Sequence, residues 1–235
     1  MADIAQEGGS LARTHEGKPG LPRGRNRLPT RDVLASQRER LQRAVIAAVA
    51  ESGFSAVTVA DIVRRARVSR VAFYAHFRGK EDCFLSATGA GGRLLRERVL
   101  AAARSVPADA PAEDVLRAGY REFLSFLAEE PAFSRVFYIG MPAAGPAAVG
   151  RFADATARFA EVNRQWHGRA RERNPDWPAV PDEVYVALGG AVAELVRRMV
   201  RADRTKELPD LEDTIVSLNL AVLAARPWGS TAEEL

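Results

Sequence analysis

Apolar residues recur at three- and four-residue intervals along most of the chain, and nowhere do they alternate as in a half-buried strand. This periodicity predicts an all-α protein of about nine helices. Leu41, Val45, Ala48, Val49 and Ser52 share one face of a first helix starting near Leu34–Ser36, with Gln37, Arg38, Glu39 and Arg43 on its other faces. Gly53, free to take positive φ, ends it, and Phe54 can fold back onto the stripe. Thr58 then caps a short second helix with Val59, Ile62, Val63 and Ala66 inward. Asp61 sits in its first turn, where a carboxylate suits the helix dipole. Ser69 caps a third helix ending near Phe77. Phe73 and Phe77 form its inner stripe, and Arg70, Val71, Tyr74 and Arg78 face outward.

The remaining helices are longer. Lys80-Glu-Asp opens a fourth that runs to about Arg104, before the breakers Pro107 and Pro111. A fifth spans about Ala112–Glu129, a sixth about Pro131–Tyr138, and Gly140–Pro146 reads as a loop. Phe152, Ala155, Phe159, Val162 and Trp166 mark a seventh. Pro181 suits the first turn of an eighth, whose stripe is Tyr185, Leu188, Val192, Leu195, Val196 and Met199. The ninth carries two stripes, Leu211, Ile215, Leu218, Val222 and Val216, Leu220, Leu223. A helix apolar on two sides needs cover on two sides. That predicts a homodimer interface including Leu188, Val192, Leu195, Met199, Ile215, Leu218 and Val222, against the alternative of a central helix inside one chain.

Composition adds a direction. The net charge is +4, but residues 1–80 carry 15 Lys/Arg against 7 Asp/Glu, and residues 81–235 carry 19 against 23. A basic head on an acidic body is the electrostatic footprint of a nucleic-acid binder. The chain then divides into a flexible basic tail at 1–34, a DNA-binding head at 35–80 and a helical body at 81–235. Arg23, Arg25 and Arg27 of the tail can follow phosphates or enter a minor groove. The single cysteine, Cys83, excludes an intramolecular disulfide, which together with the absence of a signal-peptide pattern or an 18-residue uncharged apolar run predicts a cytoplasmic protein off the membrane.

Residues 58–77, TVADIVRRARVSRVAFYAHF, are helix, tight turn, helix. In such a motif the second helix enters the major groove by its N-terminal part. Arg70 is placed to bond guanine O6 and N7, and Val71 and Ala72 are short enough to reach thymine methyls. Tyr74 and His76 can donate to phosphates, and Thr58 and Lys80 stand at helix starts that favour a phosphate. Residues 38–87 resemble the TetR (tetracycline-repressor-like) family of bacterial regulators. Gly53-Phe54, Thr58-Val-Ala-Asp-Ile62, Val68-Ser69, Phe73-Tyr-Ala-His-Phe77 and Lys80-Glu-Asp carry the resemblance. It implies a three-helix head and a body that dimerises through its last two helices and usually holds an effector pocket. It also implies that Tyr74 and His76 face DNA and that Lys80 contacts phosphate. One departure is Arg67, where the family often has Gly: either the turn differs, or Arg67 adopts its conformation at some cost and adds a phosphate contact.

No catalytic constellation emerges. Gly89–Gly92 and Gly189-Gly190 follow no strand and lack the Gly-Lys-Ser/Thr of a phosphate loop, and Glu161 and Glu194 have no catalytic companions. His15, His76 and His167 are scattered, so neither a metal nor a cofactor is expected. Tyr120, Phe123, Phe137, Tyr138, Met141, Phe159, Asn163 and Trp166 are the candidate lining of an apolar effector pocket, with Asn163 the polar exception on its stripe. The expected function is a dimeric repressor released from a pseudo-palindromic DNA operator by a small-molecule effector. The alternatives are an activator of the same fold or a sequence-neutral, architectural DNA binder.

Overall fold

The periodicity translates almost helix for helix into the computed structural model, which describes residues 9–14 and 30–224. Among the described residues there are nine α-helices and no strand. They are α1 (Thr30–Ser52), α2 (Val59–Ala66), α3 (Arg70–His76), α4 (Lys80–Ser105), α5 (Ala112–Glu129), α6 (Pro131–Arg135), α7 (Pro146–Arg173), α8 (Asp182–Arg201) and α9 (Glu212–Leu223). Two compact units result. The first comprises the chain up to Leu94 together with Glu129–Arg151; the second comprises Leu95–Ala128 and the chain from Phe152 onward.

In the first unit α1 is the central post. It packs on α2, α3 and α6, and buries Leu41, Ala44, Val45, Ala48 and Val49. It begins at Thr30, earlier than its apolar stripe, because its first turn is polar and carries Asp32 at the dipole-favoured end. Gly53 takes φ 78° and its N–H caps the Val49 carbonyl, as its sequence position predicts. The α2–α3 core is Ile62, Ala66, Phe73 and Phe77, with the two phenyl rings 5.8 Å apart.

Two features of this unit escape periodicity. After α6 the backbone passes through a π-helical turn, Val136–Gly140, and a 3-10 turn, Met141–Ala144, where an ordinary helix end and a loop were expected. The second is a short 3-10 turn at Ser10–Ala12, which packs on α1 and α6. The buried Glu130 carboxylate holds it, accepting from the Ser10 and Leu11 N–H groups at 2.9 Å each and from the Ser10 hydroxyl at 2.5 Å. Residues 10–12 of the expected flexible tail are therefore docked, and residues 30–34 are helical; the arginines at 23–27 lie outside the described residues.

In the second unit, α5 and α7 run antiparallel. Phe123 of α5 meets Phe159 of α7 at 4.9 Å, while at the opposite ends Trp166 Nε1 donates to the Ala112 carbonyl at 2.9 Å. Helix α9 is clasped to α5 by Arg117, which binds Glu212 and Asp213, and by Arg121, which grips Glu212 with two donors.

Candidate nucleic-acid interface and ligand cavity

The helix-turn-helix is assembled by local caps. The Thr58 hydroxyl accepts from the Asp61 N–H at 3.2 Å, and the Asp61 carboxylate accepts from the Thr58 N–H at 3.0 Å and hydroxyl at 2.6 Å. These bonds hold the Asp61 carboxyl below its usual pKa, the Thr58 hydroxyl contributing most. Thr58, expected to offer its hydroxyl to a phosphate, thus spends that proton on Asp61. At the turn, Arg67 lies in the left-handed region at φ 55°, ψ 43°, and its N–H bonds back to the last turn of α2. The turn therefore has the geometry that suits glycine, with an exposed arginine occupying it. Ser69 then caps α3, its hydroxyl accepting from the Ala72 N–H at 3.1 Å.

Burial of Phe73 and Phe77 turns the opposite face of α3 outward. Val71 is 83% exposed and Tyr74 is 51% exposed, with Arg70 also in solvent. The Arg70 guanidinium lies 5.9 Å from the Tyr74 ring centroid, a cation–π contact that steadies it. A short helix displaying a bare valine, a tyrosine and an arginine at its N-terminal half has the shape and chemistry of a major-groove reader. His76 and Lys80 are more constrained than their positions imply. His76 is half-buried, with Nε2 3.3 Å from Gln37 Oε1. Burial, then the charge of Arg38, holds its pKa below the usual value, so at neutral pH it is a neutral ring. Lys80 Nζ donates to the Phe54 carbonyl at 2.8 Å and sits 4.4 Å above the Phe54 ring, so its ammonium fastens the α1–α2 connection as well as facing outward.

The second unit contains a half-open cavity of about 250 Å³, walled by the end of α4, by α5 and by α7. Tyr120, Phe123, Phe159, Asn163 and Trp166 all line it. Phe137, Tyr138 and Met141 do not: they belong to the first unit, where Tyr138 and Met141 are buried and Phe137 stacks on Phe133 at 5.6 Å. One side of the cavity has a buried polar triad. Asn163 Nδ2 donates to the Tyr120 hydroxyl at 2.8 Å, that hydroxyl donates to Asn219 Oδ1 at 3.3 Å, and Asn219 Nδ2 donates to the Ile215 carbonyl of its own helix at 2.8 Å.

Residues 44–87 match the model of the bacterial regulatory proteins of the tetR family. The head belongs to the tetR family. Solved structures extend the likeness to the body at the level of fold. FadR of Bacillus halodurans, a fatty acid degradation regulator, is 16% identical with a TM-score of 0.66, over 81% of this chain and 97% of that one. FadR of Bacillus subtilis, solved with stearoyl-CoA, is 17% identical at TM-score 0.67 over 77% and 96%. A TetR-like regulator from Rhodococcus sp. RHA1 is 21% identical at TM-score 0.61 over 83% and 100%. The chain is a DNA-binding transcriptional regulator with a tetR-family head on an all-helical body.

The expected dimer stripe needs correction. Leu188, Val192 and Ile215 are buried within the second unit itself, and Val216 and Leu223 of the other α9 stripe are buried too. Leu195, Met199, Leu218 and Val222 are half-buried, and Leu218 and Val222 pack on a cluster of Ala160, Val184, Tyr185, Leu188 and Leu223. A residue already covered by its own chain offers no surface to a partner, so Leu188, Val192 and Ile215 are core, while the four half-buried residues keep part of their surface. The head also uses residues that the sequence had left on solvent faces. Arg38 stacks on the Phe77 ring at 4.7 Å and donates to Ser86 Oγ at 2.8 Å, while Gln42 donates to the same hydroxyl at 3.0 Å. With Gln37, they brace the C-terminal end of α3. No local pattern reveals them, because their partners lie about 40 residues away.

Among the described residues no group of three or more His, Cys, Asp or Glu could hold a metal, and no helix is long and apolar enough to cross a membrane. Cys83 is buried and its thiol is pushed far above the usual range, chiefly by desolvation, which opposes the reactive thiolate.

Proposed function

We propose that this regulator is a dimeric repressor that leaves a pseudo-palindromic operator when a small molecule occupies the cavity of its second unit. The observation carrying the DNA half of this reading is the outward face of α3, where Val71 and Tyr74 are exposed beside Arg70 although both have large apolar parts. Exposed apolar side chains on a rigid, doubly capped motif are expected where a partner surface will cover them. The base-reading residues are then Arg70, Val71 and Ala72. Ser69, Tyr74, His76, Lys80 and Arg67 position the helix on phosphates, with Thr58 acting through its cap.

The ligand half is supported by the cavity and by a neighbour of the same fold, the Bacillus subtilis FadR, solved with stearoyl-CoA. An effector releases the operator only by binding one arrangement of the dimer better than another. The dimer is built from the outward faces of α8 and α9, where Val186, Gly190, Ser217 and Ala221 are exposed beside the half-buried Leu218 and Val222. Small residues there let two copies approach closely. The setting is the bacterial cytoplasm.

Fluorescence anisotropy against operator sequences recovered from a random library tests the reading. The expected result is tight binding to a two-fold-symmetric site and weak, strongly salt-dependent binding to random DNA. Equal affinity for both would favour the sequence-neutral alternative. Sedimentation of Val186→Glu should show a monomer that has lost operator affinity.

A further inference from the structure

We infer that the cavity is built for an amphipathic anion, an apolar chain capped by a carboxylate or phosphate-bearing head that docks on Arg104 and Arg169. This rests on reading the cavity as the effector site, and adds the chemical class of the effector.

The cavity has two unlike ends. Because α5 and α7 are antiparallel, the Phe123–Phe159 contact marks one end and the Ala112–Trp166 hydrogen bond marks the region of the other. The first end is buried and mainly aromatic, with Tyr120, Phe123 and Asn163 covered and the Tyr120–Asn163 hydrogen bond beside it. Toward the second end the lining becomes exposed and basic, with Arg104 from α4 and Arg169 and Arg173 from α7. The lining holds three arginines and no Asp or Glu, in a region of the chain that is acidic as a whole.

The arginines divide by role. Arg173 is occupied: its guanidinium donates to the Ala108 carbonyl at 2.8 Å and the Ala110 carbonyl at 3.2 Å, fixing the loop between α4 and α5 that forms the rim. Arg104 and Arg169 have no ion pair or hydrogen bond among the described residues. Six of the twelve other arginines described in this unit, Arg98, Arg117, Arg121, Arg164, Arg197 and Arg204, pair with carboxylates, and the unpaired Arg96, Arg158, Arg198 and Arg201 do not line the cavity. Two free guanidinium groups at the mouth of an apolar cavity complement an anion and leave the chain behind it to enter.

Size agrees with this. The cavity of about 250 Å³ exceeds the ~150 Å³ that admits a ligand the size of benzene, so it has room for a chain of medium length. Arg169 lies six residues beyond Asn163 on α7, or ~9 Å along the axis. A chain of medium length spans that distance, from the guanidinium groups to the buried inner end.

Titration of the full-length protein with octanoate, octanoyl-CoA and methyl octanoate, read through intrinsic tryptophan fluorescence, tests the inference. Octanoate or octanoyl-CoA should bind at least about tenfold tighter than the uncharged ester, with a preference that falls as salt is raised. The tighter of the two identifies the head group as carboxylate or phosphate-bearing. The Arg104→Gln/Arg169→Gln double variant should lose the preference, and the Arg104→Lys/Arg169→Lys variant, which keeps the charge, should regain most of it. Thermal melts check that both variants fold. Equal binding of acid and ester by the native chain, a preference retained in the Gln variant, or no binding by any of the three would overturn the inference. The ligand switch is judged separately: an uncharged ligand that binds and weakens operator affinity leaves the switch standing while defeating the anion assignment. Octanoate binding with unchanged operator affinity does the reverse.

Discussion

Tyr120 and Asn219 are joined by a buried hydrogen bond of 3.3 Å that ties the cavity wall on α5 to the last helix, α9. Asn163 completes the triad by donating to the same hydroxyl. Tyr120→Phe removes the shared group and leaves Asn163 with only its 3.4 Å contact to Asn219, which keeps its bond to the Ile215 carbonyl. The loss should be about 1–2 kcal/mol, since partly unsatisfied buried amides remain. Urea unfolding should show a lower midpoint at constant slope. A midpoint equal to that of the native chain would mean the triad contributes nothing to the fold.

Arg67→Gly tests the turn. A non-glycine residue in the left-handed region costs about 1–2 kcal/mol, and the extra freedom of glycine in the unfolded chain returns about 0.4–1 kcal/mol of that. The expected result is a modest gain in stability. If the Arg67 side chain also meets a phosphate, the slope of log affinity against log salt should fall by about one in the same variant. A stable variant with an unchanged slope would confine Arg67 to the turn.

Arg70 and Lys80 should separate on two axes. Arg70→Ala removes an exposed side chain held only over Tyr74, so stability should stay the same while discrimination at one base pair relaxes by about 1–3 kcal/mol. Lys80→Ala removes a donor to the Phe54 carbonyl and a cation from its ring, so it should lower the melting temperature and weaken all DNA sequences alike. Operator and mismatched-operator titrations beside thermal melts would show the split. A Lys80 variant as stable as the native chain contradicts the geometry.

The parts legible in the sequence are those fixed by neighbours along the chain. Gly53, Thr58 and Ser69 announce their caps because a cap is made within three or four residues. Tyr120, Phe123, Phe159, Asn163 and Trp166 were readable because α5 and α7 each place one stripe on the cavity. Periodicity says which residues share a stripe, not what covers it, so Leu188, Val192 and Ile215 looked like a partner surface and are core. It is equally blind to the π-helical turn at Val136–Gly140 and to the placing of Phe137, Tyr138 and Met141 in the first unit. The Ser10–Glu130 contact spans 120 residues and leaves no local trace.

His167 predicts a pH dependence. Its ring is buried between Trp166, Trp177 and Tyr185, with Nδ1 2.8 Å from the Tyr185 hydroxyl. Desolvation is the main cause holding its pKa below the usual value, although the Leu223 carbonyl works in the opposite direction. Below about pH 6.5 the unfolded chain binds a proton that the folded chain resists, so stability falls as pH drops through that value. His76 is shifted the same way and adds to the trend. Denaturation at pH 8 and pH 5.5 should show a smaller pH-linked loss for His167→Gln than for the native chain. Parallel losses would assign the dependence to other groups.

Gly9 carries the last prediction. It sits at φ 87°, and a Cβ placed there would lie 2.3 Å from Glu130 Oε2, inside any permissible contact. Gly9→Ala therefore meets both backbone strain and a collision with the carboxylate that holds the Ser10–Ala12 turn. The turn should undock, uncovering Ala12 and leaving the buried Glu130 carboxylate without its three donors. Unpairing a buried charge is more costly than losing the turn's own contacts. Gly9→Ala should therefore lower the melting temperature more than Ser10→Ala, which removes one donor and keeps the two backbone bonds. In the Gly9→Ala/Glu130→Gln pair, the neutral amide tolerates water where the carboxylate needed donors, so part of the loss should return. Limited proteolysis supplies an independent reading, because trypsin should cut after Arg13 faster in Gly9→Ala than in the native chain. Equal cleavage rates in the two proteins would show that the turn does not depend on Glu130 for its place.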